Sequence, residues 1–247
     1  MEMRTIRQGI EASPRLCARM AGVFYLITIG MGLFAEVGVR GQLVVRHDAA
    51  ATATNIVGRE SWYRSGLAAD LIMLAAYIVV TVLLFVLFKP AGAKLSMLAA
   101  FFSLTGIAVL AVNCLLHVAP LLLLRHAHHL AAFETAQLHS LALFSLRLHA
   151  LGYKIAGVFF GPYCIMIGCL IVRSRFLPRF IGVLMALGGL SYLAGSCALF
   201  LLPRTAAHLP DPTLLGGIAE LALTIWLIVF GVNASKWQEH GVAQVAR

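Results

Sequence analysis

The feature that most constrains this chain is a recurring run of about 18 to 30 residues almost free of Asp, Glu, Lys and Arg, a length that matches the hydrocarbon thickness of a bilayer. Five such runs occur, and a sixth carries one central acid, Glu220. With 61% hydrophobic and 12% charged residues, the chain holds about half the charge of an average soluble domain, which excludes a water-soluble globule. The runs lie at 20–39, 65–88, 95–124, 148–172, 180–202 and 213–234. Each must be a helix, because lipid cannot satisfy an exposed backbone N–H or C=O. The expectation is an all-α polytopic membrane protein of six transmembrane helices, forming one integral membrane domain over 1–247.

Residues at the boundaries agree. Ser13-Pro14 suits the entry to the first helix, Lys89-Pro90-Ala91-Gly92 breaks the second, and Pro203 with Pro210-Asp211-Pro212 brackets a loop before the sixth. The N-terminal arginines before an apolar run resemble a signal peptide, yet the run is long and lacks an A-x-A site, so it is expected to remain as the first span. Connections alternate between short and long. The long ones are expected to hold interfacial amphipathic helices, one capped by Asp48 and one over 130–146.

Six helices place both termini on one face. That face and its short connectors carry 11 of the 19 Lys and Arg, with Arg173, Arg175 and Arg179 in one of the two very short connectors, so it is predicted to be cytoplasmic. The net charge of +9 is spread singly between spans rather than in a basic stripe, which points to anionic lipid headgroups and away from nucleic acid. Five cysteines without a C-x-x-C pair signal neither a disulfide framework nor a zinc site. Gly157 with Gly161, and Ser191 with Gly195, predict close helix packing.

Several strings together have a familiar look: Ala21-Gly22-Val23-Phe24-Tyr25-Leu26-Ile27-Thr28, Gly66-Leu67-Ala68-Ala69-Asp70-Leu71, His149-Ala150-Leu151-Gly152-Tyr153 and Leu177-Pro178-Arg179-Phe180-Ile181-Gly182. Along nearly its whole length the chain resembles the bacterial domain-of-unknown-function 4386 family. The resemblance implies a multi-span protein of the bacterial cytoplasmic membrane and no particular activity. Lys154 stands where that family has an apolar residue, and Pro162-Tyr163 where it has Leu-His.

Ionisable groups inside a membrane are costly, so their positions carry the functional information. The topology places Glu36, Asp70, Asn113, His117, His149, Lys154 and Glu220 in the same outer half of the bilayer. They are the candidates for ligand binding or proton coupling, foremost Asp70 and Glu220 because each stands in an otherwise apolar stretch. The structural alternative is that they only pair, Lys154 with Asp70 or Glu220, and act as glue between helices. Glu36 is expected to pair at the surface with Arg40, one turn on. Pro120 and Pro162 can free backbone carbonyls within their helices.

His117 and His149 at similar depth are the minimum for two axial haem ligands, a pairing that coincidence supplies readily. The histidines at 126, 128, 129 and 139 fit a hydrated loop better than a metal site. No cofactor and no metal are therefore expected, and no protein partner is signalled. No nucleophile elbow, Walker loop or H-E-x-x-H occurs, against soluble-type hydrolysis or nucleotide chemistry. Three functions remain: binding or transport of a small amphiphile or cation in an outward-facing polar cavity, an intramembrane enzyme protonating an isoprenoid or lipid, and an accessory subunit.

Overall fold

A computed structural model describes residues 13–125, 130–202 and 213–245. Among these residues the chain is almost entirely helical, with no strand. The helices are α1 (Pro14–Leu33), α2 (Ala49–Gly58), α3 (Glu60–Phe88), α4 (Ala93–Leu123), α5 (Thr135–Ser174), α6 (Arg179–Leu201), α7 (Thr213–Val229) and α8 (Ala234–Val245). Ser13 caps α1, its carbonyl accepting from the amides of Leu16 and Cys17. A π-helical stretch, Phe34–Arg40, prolongs α1 so that Pro14–Leu43 is one span.

Five spans are long and apolar enough to cross a membrane: Pro14–Leu43, Glu60–Ala91, Ala93–Leu123, Thr135–Ser174 and Arg179–Leu201. A sixth arises only if α7 and the start of α8, bent by 105°, count as one. The expected sixth span ran to residue 234, but α7 stops at Val229. Gly231, at φ +64°, takes the left-handed conformation that ends a helix, its amide bonding back to the Trp226 carbonyl. Large apolar side chains stand outward on the spans, among them Val112, Leu115 and Leu201, as lipid demands.

The chain divides into two compact units. The first combines Met1–Leu26, Ala76–Gly106 and Ala156–Arg247. Its α5 and α6 approach through glycine: a Cβ on Gly161 would lie 2.9 Å from the Gly189 carbonyl, and one on Gly157 2.9 Å from Ser196 Oγ. The predicted close packing at Gly157 and Gly161 is thus present; Ser191 and Gly195 are buried on α6, the Ser191 hydroxyl donating to the Gly188 carbonyl of its own helix.

The second unit combines Ile27–Ala75 and Ile107–Ile155. It has an apolar core of Val39, Leu43, Ala53, Ile56, Tyr63, Leu121, Leu124, Ala142 and Leu146. The predicted cap is made: Asp48 Oδ1 accepts from the Ala51 amide at 2.8 Å and starts α2, whose Thr52, Ala53 and Ile56 are buried. Here the loop helices differ from expectation. The segment 130–146 is not a separate interfacial helix, since from Thr135 onward it is the first part of the 40-residue α5, and its Leu138, Ala142 and Leu146 are core residues. No breaker stands between Thr135 and the former boundary at 148, so the helix propagates.

Candidate functional site

The second unit encloses a polar cluster built from four helical segments. In the π stretch the Gly41 amide reaches back to the Glu36 carbonyl, five residues away. This wide turn is a geometry that recurs at functional sites. Glu36 and Arg40 share a face, and Arg40 Nε donates to Glu36 Oε2 at 2.8 Å. From there the guanidinium enters the unit. Its Nη1 donates to Asp70 Oδ2 at 2.6 Å and its Nη2 to Asp70 Oδ1 at 3.2 Å, a two-pronged pair on α3. Tyr153 of α5 adds its hydroxyl to Asp70 Oδ1 at 3.3 Å.

The imidazoles are oriented by the same network. Arg40 Nη1 lies 2.9 Å from His117 Nδ1, and because a guanidinium only donates, that nitrogen accepts. The His117 proton then sits on Nε2, which faces the Tyr63 carbonyl at 3.3 Å, while the Tyr63 hydroxyl donates to the His117 carbonyl at 2.7 Å. His149 Nδ1 lies 3.0 Å from the Asn113 carbonyl, which can only accept. Its Nε2 therefore carries a lone pair, and it has no hydrogen-bond partner among the described residues although it is buried. Asn113 completes the exchange between α4 and α5, its Nδ2 donating to the His149 carbonyl at 2.8 Å.

Glycines make room for this. A Cβ on Gly152 would overlap the Asn113 carboxamide, and one on Gly66 would stand 3.3 Å from His117 Cε1. Arg40, Asp70, Asn113, His117 and His149 are all at most 5% exposed, whereas the Glu36 side chain is 62% exposed. The metal-capable atoms of Asp70, His117 and His149 all lie within 4.8 Å of one another. A porphyrin has no slot between the two histidines, whose rings stand edge to face at 5.5 Å with a guanidinium against the inner nitrogen of His117.

Beside the cluster is a cavity of about 570 Å³. Its polar wall is formed by Glu36, Arg40, Arg46, His47, Arg147 and His149, and its apolar wall by Val44, Leu143, Leu146 and Ala150. Arg147 is held by donating from Nη2 to the Arg46 carbonyl at 2.7 Å.

Of the sequence candidates, Glu36, Asp70, Asn113, His117 and His149 thus belong to one cluster. Glu220 belongs to the other unit. There Tyr77 Oη donates to its Oε1 at 3.4 Å and the Cys164 thiol approaches the same oxygen at 3.5 Å. Tyr25, Tyr77, Phe160 and Tyr163 form an aromatic group around them, Tyr77 stacked on Phe160 at 5.0 Å. Lys154 is half-buried, and the cation bound to Asp70 is Arg40. Arg40 is accordingly not a surface partner of Glu36 alone. Its burial, and the roles of Tyr63 and Tyr153, are what sequence reasoning missed. The positions 126, 128 and 129 lie outside the described residues, and His139 is half-buried on α5.

The family model of a domain of unknown function, DUF4386, matches residues 20–231, and the chain belongs to that family. No curated protein and no solved structure matches it.

Proposed function

We propose that this member of the DUF4386 family is a membrane binding protein for a small amphiphile with an acidic head, held in the cavity of the second unit. One observation carries the reading: Arg40, Arg46 and Arg147 line the same cavity as Leu143, Leu146 and Val44, so a single ligand can meet cationic and apolar walls together. Glu36 is the one acid among these lining residues, and it is already bonded to Arg40. An anionic head therefore suits the wall better than a cationic one. Because Arg40 is engaged on all sides, Arg46 and Arg147 are the groups that take the charge.

Acid catalysis by Asp70 gains little support, since both of its oxygens accept from Arg40. With α7 and the start of α8 taken as one broken span, the distribution of Lys and Arg supports a bacterial cytoplasmic membrane location with both termini inside, which opens the cavity to the outer side.

The test uses the full chain in nanodiscs, titrated with a fluorescent long-chain carboxylic acid and with its quaternary ammonium analogue. The acid is expected to bind at least about tenfold more tightly, and Arg46→Ala with Arg147→Ala to abolish that preference, a difference of about 1.4 kcal/mol. Equal binding of the two probes, or tighter binding of the ammonium, overturns the reading. The same acid in sealed vesicles tests whether occupancy leads to transport.

A further inference from the structure

Two imidazoles and a carboxylate converge in the second unit with their lone pairs already sorted, and this goes beyond whatever fills the cavity. His117 has its Nε2 against the Tyr63 carbonyl and His149 its Nδ1 against the Asn113 carbonyl. In each case the opposite nitrogen is left as an acceptor. A histidine whose outer N–H is fixed by a backbone carbonyl is the usual arrangement of a metal ligand, because it sets both the tautomer and the ring orientation. His149 Nε2 is buried and without a partner among the described residues, an arrangement that has a cost unless something is bound there.

We propose that Asp70, His117 Nδ1 and His149 Nε2 bind a divalent transition-metal ion of the Zn²⁺ or Fe²⁺ class, with Arg40 as the competing occupant. Distances agree. Two ligands bound at about 2.1 Å to one tetrahedral ion stand about 3.4 Å apart. His117 Nδ1 and Asp70 Oδ2 are 3.4 Å apart, and Asp70, His117 and His149 each offer a ligand atom within 4.8 Å of the other two, so a turn of the His149 ring with a modest approach completes the set. Two histidines with one carboxylate suit these ions rather than Mg²⁺ or Ca²⁺, which prefer oxygen ligands. Three protein ligands leave a coordination position open, and His149 and Arg40 are also among the residues that line the cavity.

Arg40 Nη1 lies against both Asp70 and His117, so a metal has to displace it. The guanidinium has somewhere to go. It is tethered through Nε to the exposed Glu36, and it already lines the cavity. The metal-free and metal-bound states then exchange one cation for another at Asp70, and metal binding turns Arg40 toward the cavity.

The experiment takes the full chain in detergent, stripped with a chelator, and titrates it with Co²⁺ followed by visible absorption, with metal content measured after Zn²⁺ loading. One ion per chain is expected. His149→Gln should weaken binding at least about tenfold while the fold is kept, because the Gln amide can still donate to the Asn113 carbonyl as His149 Nδ1 does; His117→Gln and Asp70→Asn should do the same to the metal. Arg40→Gln should bind at least about tenfold more tightly than the native chain and show a larger rise in Tm with Zn²⁺. Failure of the native chain to bind one ion overturns the proposal, and so does a site seen only in Arg40→Gln or one indifferent to His149→Gln. None of these readings involves the carboxylic-acid probe, so the two proposals fail separately.

Discussion

Each unit of this protein holds an acid within its helices, Asp70 buried and Glu220 half-buried, and the two acids keep different company. Asp70 meets a guanidinium through both oxygens, with a tyrosine and a histidine beside it. Glu220 meets a phenol and a thiol, within a group of aromatic rings. The Tyr25 and Tyr163 hydroxyls in that group are buried with no hydrogen-bond partner among the described residues. A charge in an apolar interior is tolerated when compensated, and a compensated charge becomes indispensable to its partner. The comparison therefore separates an acid that belongs to a charge network from one surrounded by weak, neutral donors. Having an acid in the sequence was common to both; the partner decides what it does.

The largest effect should come from Asp70→Ala, which strands the buried Arg40. It should cost about 3 to 5 kcal/mol, by analogy with broken buried ion pairs, and be visible as loss of monodisperse protein or a large fall in Tm. Glu220→Gln keeps an oxygen for Tyr77 and Cys164 and should cost only about 1 kcal/mol. If Glu220→Gln proves the more damaging, the contrast between the two acids is wrong. Next in size is Gly152→Ala. Its added Cβ overlaps the Asn113 side chain and should cost about 1 to 3 kcal/mol in thermal unfolding through the forced shift of the Asn113–His149 exchange. The smallest is Glu36→Gln, where the side chain is mostly exposed and the pair with Arg40 is worth less than about 1 kcal/mol. A large loss of stability there would make Glu36 a full member of the buried network.

What the sequence revealed follows from what lipid enforces. Helices of bilayer length are written in hydropathy, so the spans were legible to within a few residues except where Gly231 ends α7 early and α5 runs on through 135–147. Asp70, Asn113, His117 and His149 were legible because a polar group in an apolar run is conspicuous. Arg40 was not, since it stands at the end of its run, where an arginine ordinarily reaches water. The π turn that brings it inward leaves no mark in hydropathy. Depth along each span put Glu220 with the rest, but depth does not record which face of a helix a residue occupies. The signal for its separate surroundings was present in Tyr25, Tyr77 and Tyr163, mid-span phenols that each call for a polar neighbour.

The widened turn at Phe34–Arg40 has one more implication, for how tolerant the chain is of length changes. A π segment carries a residue more than the α-helix that would replace it. Removing a single residue there would let the helix relax to its ordinary pitch with the segments on either side almost in phase, because the wide turn is what absorbs the extra residue. A deletion just outside the stretch has no such buffer and would turn everything beyond by about 100°, swinging the guanidinium off its carboxylate. Among relatives of this chain, a spacing from Glu36 to Asp70 shorter by one residue is therefore compatible with the cluster, and the residues at positions 40 and 70 tell which of them keep it.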